Sequence, residues 1–525
     1  MKTLKIYFTS DMHGFVYPTD YTNNDDKHLG MLNVINSFTK DENTLIIDGG
    51  DTIQGSPFTT FISKKDFQVH PIGKVLNQGK YDLITLGNHD FNYGYDYLAK
   101  YLNTLDATCV CSNVEDKTGK LPILPYAIKT LGNGLKIGTL GFTTDFINIW
   151  EQPQNLTNFN INDTYTSVKK VFDEVRSQVD ILLGVYHGGF EKDLDTEKIL
   201  STSNENIAYK ICEDFNFDIL LTGHQHMDIG GQYVNGTYIV QTPQNAFKFI
   251  ELSLDYEEKI ISIKSELKTA EINPNKEMFN ELLPYEKEVQ KWLDSPVGFL
   301  DIPLHPSTHI EMALSGSNLA NFINKIQLDA SGADIACTSF ANSIKGFNTD
   351  VTVRDIVSTY VYPNTLVVYE VTGEILKKSL SRSAEYFYYD GEEVRISDSF
   401  LKPKVEHYNY DYFSNIEYTF TLNSNGINTV DSVIFNGKEI SDTDKFTLVM
   451  NNYRASGAGG YEFFKYCKII KEIQIEMPEI IINYFEKNKK VIVDKTKYIH
   501  VKLNKYLYKH IFIYLYIYCT NDPIK

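Results

Sequence analysis

Short aliphatic, β-branched runs punctuate the first half of the chain: Leu4 to Phe8, Leu45 to Ile47, Leu83 to Leu86, Ile181 to Val185 and Ile219 to Leu221. Their length and composition predict buried parallel strands. Between them, Tyr95 to Leu105 and Tyr165 to Gln178 carry apolar residues at helical spacing, so strands alternate with helices as in a layered α/β domain. Gly230 to Leu254 and Lys259 to Leu267 read as strands that close it. Lys276 to Leu293 is charged, with apolar residues at helical spacing, and reads as a connecting helix. Beyond it, helices such as Ser317 to Leu328 mix with aromatic-rich strands such as Val449 to Tyr453. The expected division is a first domain over 1–270, a linker helix over 271–296, a second domain over 297–490 and a tail over 491–525. From Tyr498 the tail is aromatic without helical period. Its uncharged stretches fall short of the ~18–20 residues that span a bilayer, so no membrane span is expected.

Each of the five runs ends in a polar cluster: Asp11-Met-His13, Gly50-Asp51, Gly87-Asn88-His89-Asp90, His187, and Gly223-His224-Gln225-His226. In open α/β sheets, ligand-binding groups gather outside the carboxyl ends of the strands, where side chains distant in sequence converge. Two divalent cations about 3.5–4 Å apart require carboxylate, imidazole and carbonyl ligands with one group bridging both. The clusters supply that set: Asp11, His13, Asp51 and His226 for one cation, and Asp51, Asn88, His187 and His224 for the other, with Asp51 as the bridge. Glycines and strand ends ahead of the ligands allow sharp turns. The alternation in His224-Gln225-His226 is expected to place both imidazoles on one side of an extended segment.

The net charge, 50 basic against 68 acidic residues or −18, disfavours adhesion to nucleic-acid polymers and anionic membranes, so a phosphate substrate must be attracted locally. Arginine occurs only at 176, 354, 382, 395 and 454. The concentration of four of these in the second half hints at contact with an anion or a ring there. The cysteines form no zinc-type doublet, and Cys109-Val-Cys111 in a strand-like stretch reads as buried thiols. The amino terminus runs straight into the first cluster, and the expectation is a cytoplasmic protein.

With these motifs the chain resembles the calcineurin-like metallophosphoesterase superfamily. Over about residues 3–490 it is similar to the bacterial 5′-nucleotidase family, in which such a domain precedes a nucleotide-binding one. The resemblance implies an α/β (α+β layered) fold, with a four-layer αββα metallophosphoesterase domain and a mixed α/β second domain. Gly87 to Gly94, with Asn92 where 5′-nucleotidases usually carry Asp, is similar to the 2′,3′-cyclic-nucleotide 2′-phosphodiesterase/3′-nucleotidase branch. So are Tyr362 to Gly373 and Asn451 to Gly460. The implied enzyme hydrolyses nucleotides with two divalent metal ions (Mn, Zn, Co or Fe). The implied roles are Asn88 as ligand and donor toward the phosphoryl group, and His89 as proton donor or electrostatic stabiliser at the leaving oxygen. Asn92 would orient the His89 ring without adding charge. By the same resemblance the nucleobase stacks between Tyr453 and Tyr408, with Tyr410 the alternative, in a cleft between the domains. Arg454 is a candidate anion contact, while Asn342 falls where relatives often place a Gly-Gly-x-Arg contact whose arginine is missing here. Arg354 is expected to pair with Asp355 or to pack a helix. Rival readings are a 5′-nucleotidase/UDP-sugar hydrolase, a non-catalytic nucleotide-binding homologue, and a hydrolase of another small phosphoester or sulfur substrate.

Overall fold

The computed structural model of the protein describes residues 1–504 apart from 23, 24, 198, 200–203, 363, 403 and 474. The chain divides into two units, Met1–Leu293 and the residues from Asp294 onward. The aromatic run beyond Asn504 lies outside the described residues.

In the first unit the strands form two sheets. One has the order Lys259–Thr269, Lys248–Glu257, Lys2–Thr9, Thr44–Asp48, Leu83–Ile84, Thr108–Val110, Ile123–Leu124. The other has the order Ile229–Val234, Thr237–Gln241, Ile219–Thr222, Ile181–His187, Lys136–Thr143, Tyr126–Thr130. The five aliphatic runs all lie in parallel ladders, three in the first sheet and two in the second. Because strand side chains alternate between faces, Leu4, Ile6 and Phe8 meet Ile181, Leu183, Val185, Ile219 and Leu221 in a core between the sheets. Leu182, Tyr186 and Leu220 point the other way, onto Val168, Phe172 and Val175 of the helix Thr164–Arg176. Pro71–Gln78 packs between Met31–Asn36 and Gly94–Thr104 to make the opposite helical layer. The result is the expected αββα sandwich.

The helix Lys276–Leu293 belongs to this first unit. Its buried stripe of Met278, Leu282, Val289 and Leu293 follows helical spacing. Tyr17 donates to the Phe279 carbonyl at 2.8 Å, and the Tyr21 hydroxyl donates to Glu286 at 3.2 Å. An apolar stripe of this kind is covered by a domain surface rather than left spanning solvent, which is why the segment is a wall as well as a connector.

The second unit contains a sheet ordered Tyr412–Ser414, Ile335–Thr338, Lys445–Asn451, Leu366–Thr372, Lys468–Ile473. A further sheet has the order Lys438–Glu439, Thr429–Phe435, Glu417–Asn423, Ile499–Asn504. Ile499–Asn504, placed in the tail by its sequence, pairs in parallel with Glu417–Asn423. Tyr453 is not in a strand. Lys445–Asn451 ends at Asn451, whose side chain accepts the Arg454 N–H at 2.7 Å and caps the helical turn Asn452–Ala455. Arg454 is 1% exposed and serves as a strut. Its Nε meets Asp411 at 2.8 Å, its Nη2 donates to the Tyr408 carbonyl at 3.0 Å, and its guanidinium lies 4.0 Å from the centre of the Tyr461 ring.

Removing one partner of a buried ion pair leaves the other uncompensated, at a cost of about 3–5 kcal/mol. Arg454→Ala is therefore expected to lower the urea midpoint of the second unit's unfolding transition by that equivalent. A midpoint equal to that of the parent protein would show that the pair holds nothing.

Candidate metal centre

The five polar clusters are brought together by backbone before side chains. Asp11 N–H donates to the Gly50 carbonyl at 2.9 Å and His13 N–H to the Asp51 carbonyl at 2.8 Å, lacing the loops after Lys2–Thr9 and Thr44–Asp48. Asp11, His13, Asp51, His224 and His226 all adopt positive φ, between 48° and 70°, a left-handed conformation disfavoured for side chains with a Cβ and concentrated at functional sites. His224-Gln225-His226 is thus a pair of left-handed turns and not an extended segment. Gly87 is dictated by close approach, since a Cβ there would lie 2.2 Å from the Asp51 carboxylate. Asp90, whose role the motif alone did not reveal, accepts the Gly87 and Asp51 N–H groups at 2.8 and 2.9 Å. Its other oxygen accepts from Thr52 and Ile53 at 2.9 and 3.1 Å. One carboxylate therefore binds two strand-end loops.

The seven proposed ligands are all in this cluster. The candidate donor atoms of Asp11, His13 and His226 lie within 4.8 Å of one another, as do those of Asp11, Asp51 and His187. The His187 Nε2 is 3.1 Å from Asp51 Oδ2 and 3.2 Å from Asn88 Oδ1. His224 joins through Asn88, its Nδ1 being 3.0 Å from the same Oδ1. Asp11 falls in both triads, so its carboxylate shares the central position assigned from sequence to Asp51 alone.

The imidazoles are oriented by acceptors that sequence reading did not identify. His13 Nδ1 is 3.0 Å from the Gln54 carbonyl, His187 Nδ1 is 2.7 Å from the Gly49 carbonyl, and His224 Nε2 is 3.0 Å from Glu205. Each of these acceptors takes an N–H, which turns the other ring nitrogen toward the cluster, where a metal ligand's nitrogen must point. Trp150 stacks on the His224 ring at 5.5 Å and 18°. Neither Glu205 nor Trp150 lies in a motif.

The electrostatics fit divalent cations. Burial opposes ionisation of Asp11 and Asp51, yet the neighbouring imidazoles, His187 foremost, hold both below the ordinary carboxylate range. Burial alone would lower His187, but Asp51 and Asp11 push it up to about 10. Burial keeps His13 below its usual value. His13 Nε2 approaches His226 Nε2 to 3.3 Å, a contact between two ring nitrogens that a shared cation relieves. Two buried carboxylates among converging ring nitrogens are a hard-to-borderline donor set.

His89 donates its backbone N–H to Asp51 Oδ1 at 2.7 Å, and its Nδ1 is 2.8 Å from Asn92 Oδ1. In the second unit, Tyr408 and Tyr453 are in contact, but edge to face, with centroids 6.2 Å apart at 77°. A ring sandwiched between them needs parallel faces about 7 Å apart, so no sandwich is preformed. Tyr410 is excluded as the alternative, because it is 1% exposed and wedged between Tyr386 and Tyr412. Arg454 is not an anion contact, since its fork is occupied by Asp411 and main-chain carbonyls. Asn342 pins the Tyr408 loop, donating to the Val405 carbonyl at 2.7 Å and accepting from His407 N at 3.0 Å. Arg354 pairs with Asp294 at 2.6 Å rather than with Asp355. Arg382 and Arg395 lie over protein rings, Phe400 and Tyr388, so with Arg454 three of the four arginines of the second half meet rings, those of the protein itself.

A proton on His187 must leave before its lone pair can bind a cation. Because Asp51 and Asp11 keep that proton on at neutral pH, Mn²⁺ binding at pH 7 is expected to release about one proton per chain, and affinity to rise by up to ~10-fold per pH unit between pH 6 and 8. Calorimetry in buffers of different ionisation enthalpy measures this; binding with no proton release would remove His187 from the ligand set.

Comparison with known proteins agrees with this geometry. The calcineurin-like phosphoesterase family model matches residues 4–228, and the 5′-nucleotidase C-terminal domain model matches residues 297–466. The chain is 26% identical to a trifunctional nucleotide phosphoesterase of Bacillus subtilis, over 93% of this chain but only 38% of that longer protein. It is 24% identical to a 2′,3′-cyclic-nucleotide 2′-phosphodiesterase/3′-nucleotidase of Yersinia enterocolitica, over 86% of this chain and 80% of that one. Among solved structures, a Staphylococcus aureus chain assigned as a 5′-nucleotidase superposes with a TM-score of 0.87 at 29% identity, over 96% of this chain and all of that one. The chain belongs to the 5′-nucleotidase family, with a calcineurin-like phosphoesterase domain followed by a 5′-nucleotidase C-terminal domain.

Proposed function

We propose that the protein is a two-metal phosphoester hydrolase acting on 2′,3′-cyclic nucleotides and 3′-nucleotides. The observation that carries this reading is the convergence of Asp11, His13, Asp51, Asn88, His187, His224 and His226 from five strand ends into one cluster around two buried carboxylates. Asn92 at the position facing His89 and the names of several relatives support the cyclic-nucleotide branch.

Divalent ions held by these residues supply Lewis acidity toward water and phosphoryl oxygens. The protein's own groups do the rest. Asn88 turns its Oδ1 to His187 and His224, which directs its amide N–H groups away from them, to donate to a phosphoryl oxygen. His89, with Nδ1 engaged by Asn92, offers Nε2 to the leaving oxygen. In the first hydrolysis water adds to phosphorus and gives up a proton to solvent, and the P–O2′ bond breaks with its electron pair on the ribose oxygen, which takes a proton from His89. In the second, the P–O3′ bond breaks in the same way, leaving nucleoside and phosphate. Tyr408 and Tyr453 stack the base after one ring turns to face the other, a contact worth ~1–3 kcal/mol per base and tolerant of base identity.

A second reading, 5′-nucleotidase activity, is favoured by the likeness to the Staphylococcus aureus structure. Incubation of the Mn²⁺-loaded protein with 2′,3′-cyclic AMP, 3′-AMP and 5′-AMP separates the two. The proposal expects phosphate release from the first two to exceed that from the third, and preferential hydrolysis of 5′-AMP overturns it.

His89→Ala is expected to lower turnover by ~10²-fold or more with metal content near that of the parent. Undiminished turnover would remove His89 from the mechanism. Asp51→Asn is expected to lose bound metal together with activity, measured by elemental analysis after gel filtration.

A further inference from the structure

Behind Asn92 stands a carboxylate. Asn92 Nδ2 donates to Glu151 Oε2 at 2.5 Å, and the other Glu151 oxygen accepts from Asn155 Nδ2 at 2.8 Å and from Gln152 N at 2.7 Å. Asn155 also donates to the Asn92 carbonyl at 3.0 Å. Glu151 is 9% exposed and follows Trp150, the ring stacked on His224. Adjacent residues of one short segment thus reach a metal ligand and the residue behind His89.

The direction of this chain follows from its far end. The Glu151 oxygens accept from Asn92, Gln152 and Asn155, so the Asn92 amide turns its N–H to Glu151 and its oxygen to His89. That oxygen accepts from His89 Nδ1, which aims Nε2, the atom that hands its proton to the leaving oxygen, at the reaction. The carboxylate also polarises the amide, strengthening the bond to His89 beyond what an isolated amide provides. Without Glu151 the amide is free to flip and present its N–H to Nδ1, and the hydrogen bond that holds the ring in place is lost.

We propose that Glu151 is a positioning residue that acts through Asn92 to hold the orientation of the His89 ring, with Nδ1 on the amide oxygen and Nε2 toward the leaving oxygen. This rests on the reading of His89 as proton donor to the leaving group.

The test measures hydrolysis of 3′-AMP and p-nitrophenyl phosphate, with metal content, for the parent protein and the variants Glu151→Ala, Asn92→Asp and the double variant. Glu151→Ala is expected to lower kcat for 3′-AMP by ~10-fold or more with KM little changed. The loss should be smaller for p-nitrophenyl phosphate, whose leaving group departs as a stable anion. Asn92→Asp sets a second carboxylate against Glu151 and is also impaired. In the double variant one carboxylate faces His89 directly, and 3′-AMP turnover recovers to several-fold above either single variant. That reciprocal rescue is not expected of a residue that only props the fold. Metal-replete Glu151→Ala with parental kcat, or a double variant no better than the weaker single, overturns the inference. A parent protein that hydrolyses neither ester instead overturns the reading of the site, and this inference with it.

Discussion

Two carboxylates, Asp11 and Asp51, are buried in one cluster, 0% and 1% exposed. Like charges removed from water repel strongly, and their coexistence demands nearby positive charge. The surrounding architecture answers that demand: imidazoles from opposite sheets close on the pair, and the acceptors Gln54, Gly49 and Glu205 dictate which ring nitrogens face inward. The two-sheet sandwich is the means of bringing such groups together, since it places carboxyl ends of separate parallel ladders side by side. The hydrophobic core between the sheets therefore sets the distances within a polar site.

Much of this arrangement was legible in the sequence because the ligands sit directly after strands. Each aliphatic run declared its strand by composition, and the residue following it declared its chemistry. The neighbours of the ligands were not legible. Glu205 lies 19 residues before His224, and Glu151 lies 59 residues after Asn92, each in a loop with no recurring pattern. Backbone conformation escaped for a related reason: His-Gln-His at alternating positions reads as extended, whereas both histidines adopt left-handed turns, the first with its N–H on the Asp11 carboxylate.

In the second unit, sequence reading located the aromatic pair but misjudged the arginine beside it. Asp411 lies 43 residues before Arg454, so nothing local marks the cation as already paired. The strut nonetheless bears on the tyrosines, because the Arg454 guanidinium grips the Tyr408 carbonyl and its backbone adjoins Tyr453. Asn342 anchors the same loop from its other side. Residues taken for ligand contacts are thus the frame that holds the rings.

The left-handed ligand residues carry a consequence for durability. Each such conformation costs on the order of 1–3 kcal/mol, and the crowded carboxylates add to the burden until cations arrive. The first unit accordingly holds a tensioned rim, which cations bound there would offset. The Arg454–Asp411 pair neutralises its own charges and imposes no such dependence. Loss of cations would therefore weaken the amino-terminal unit before the carboxy-terminal one.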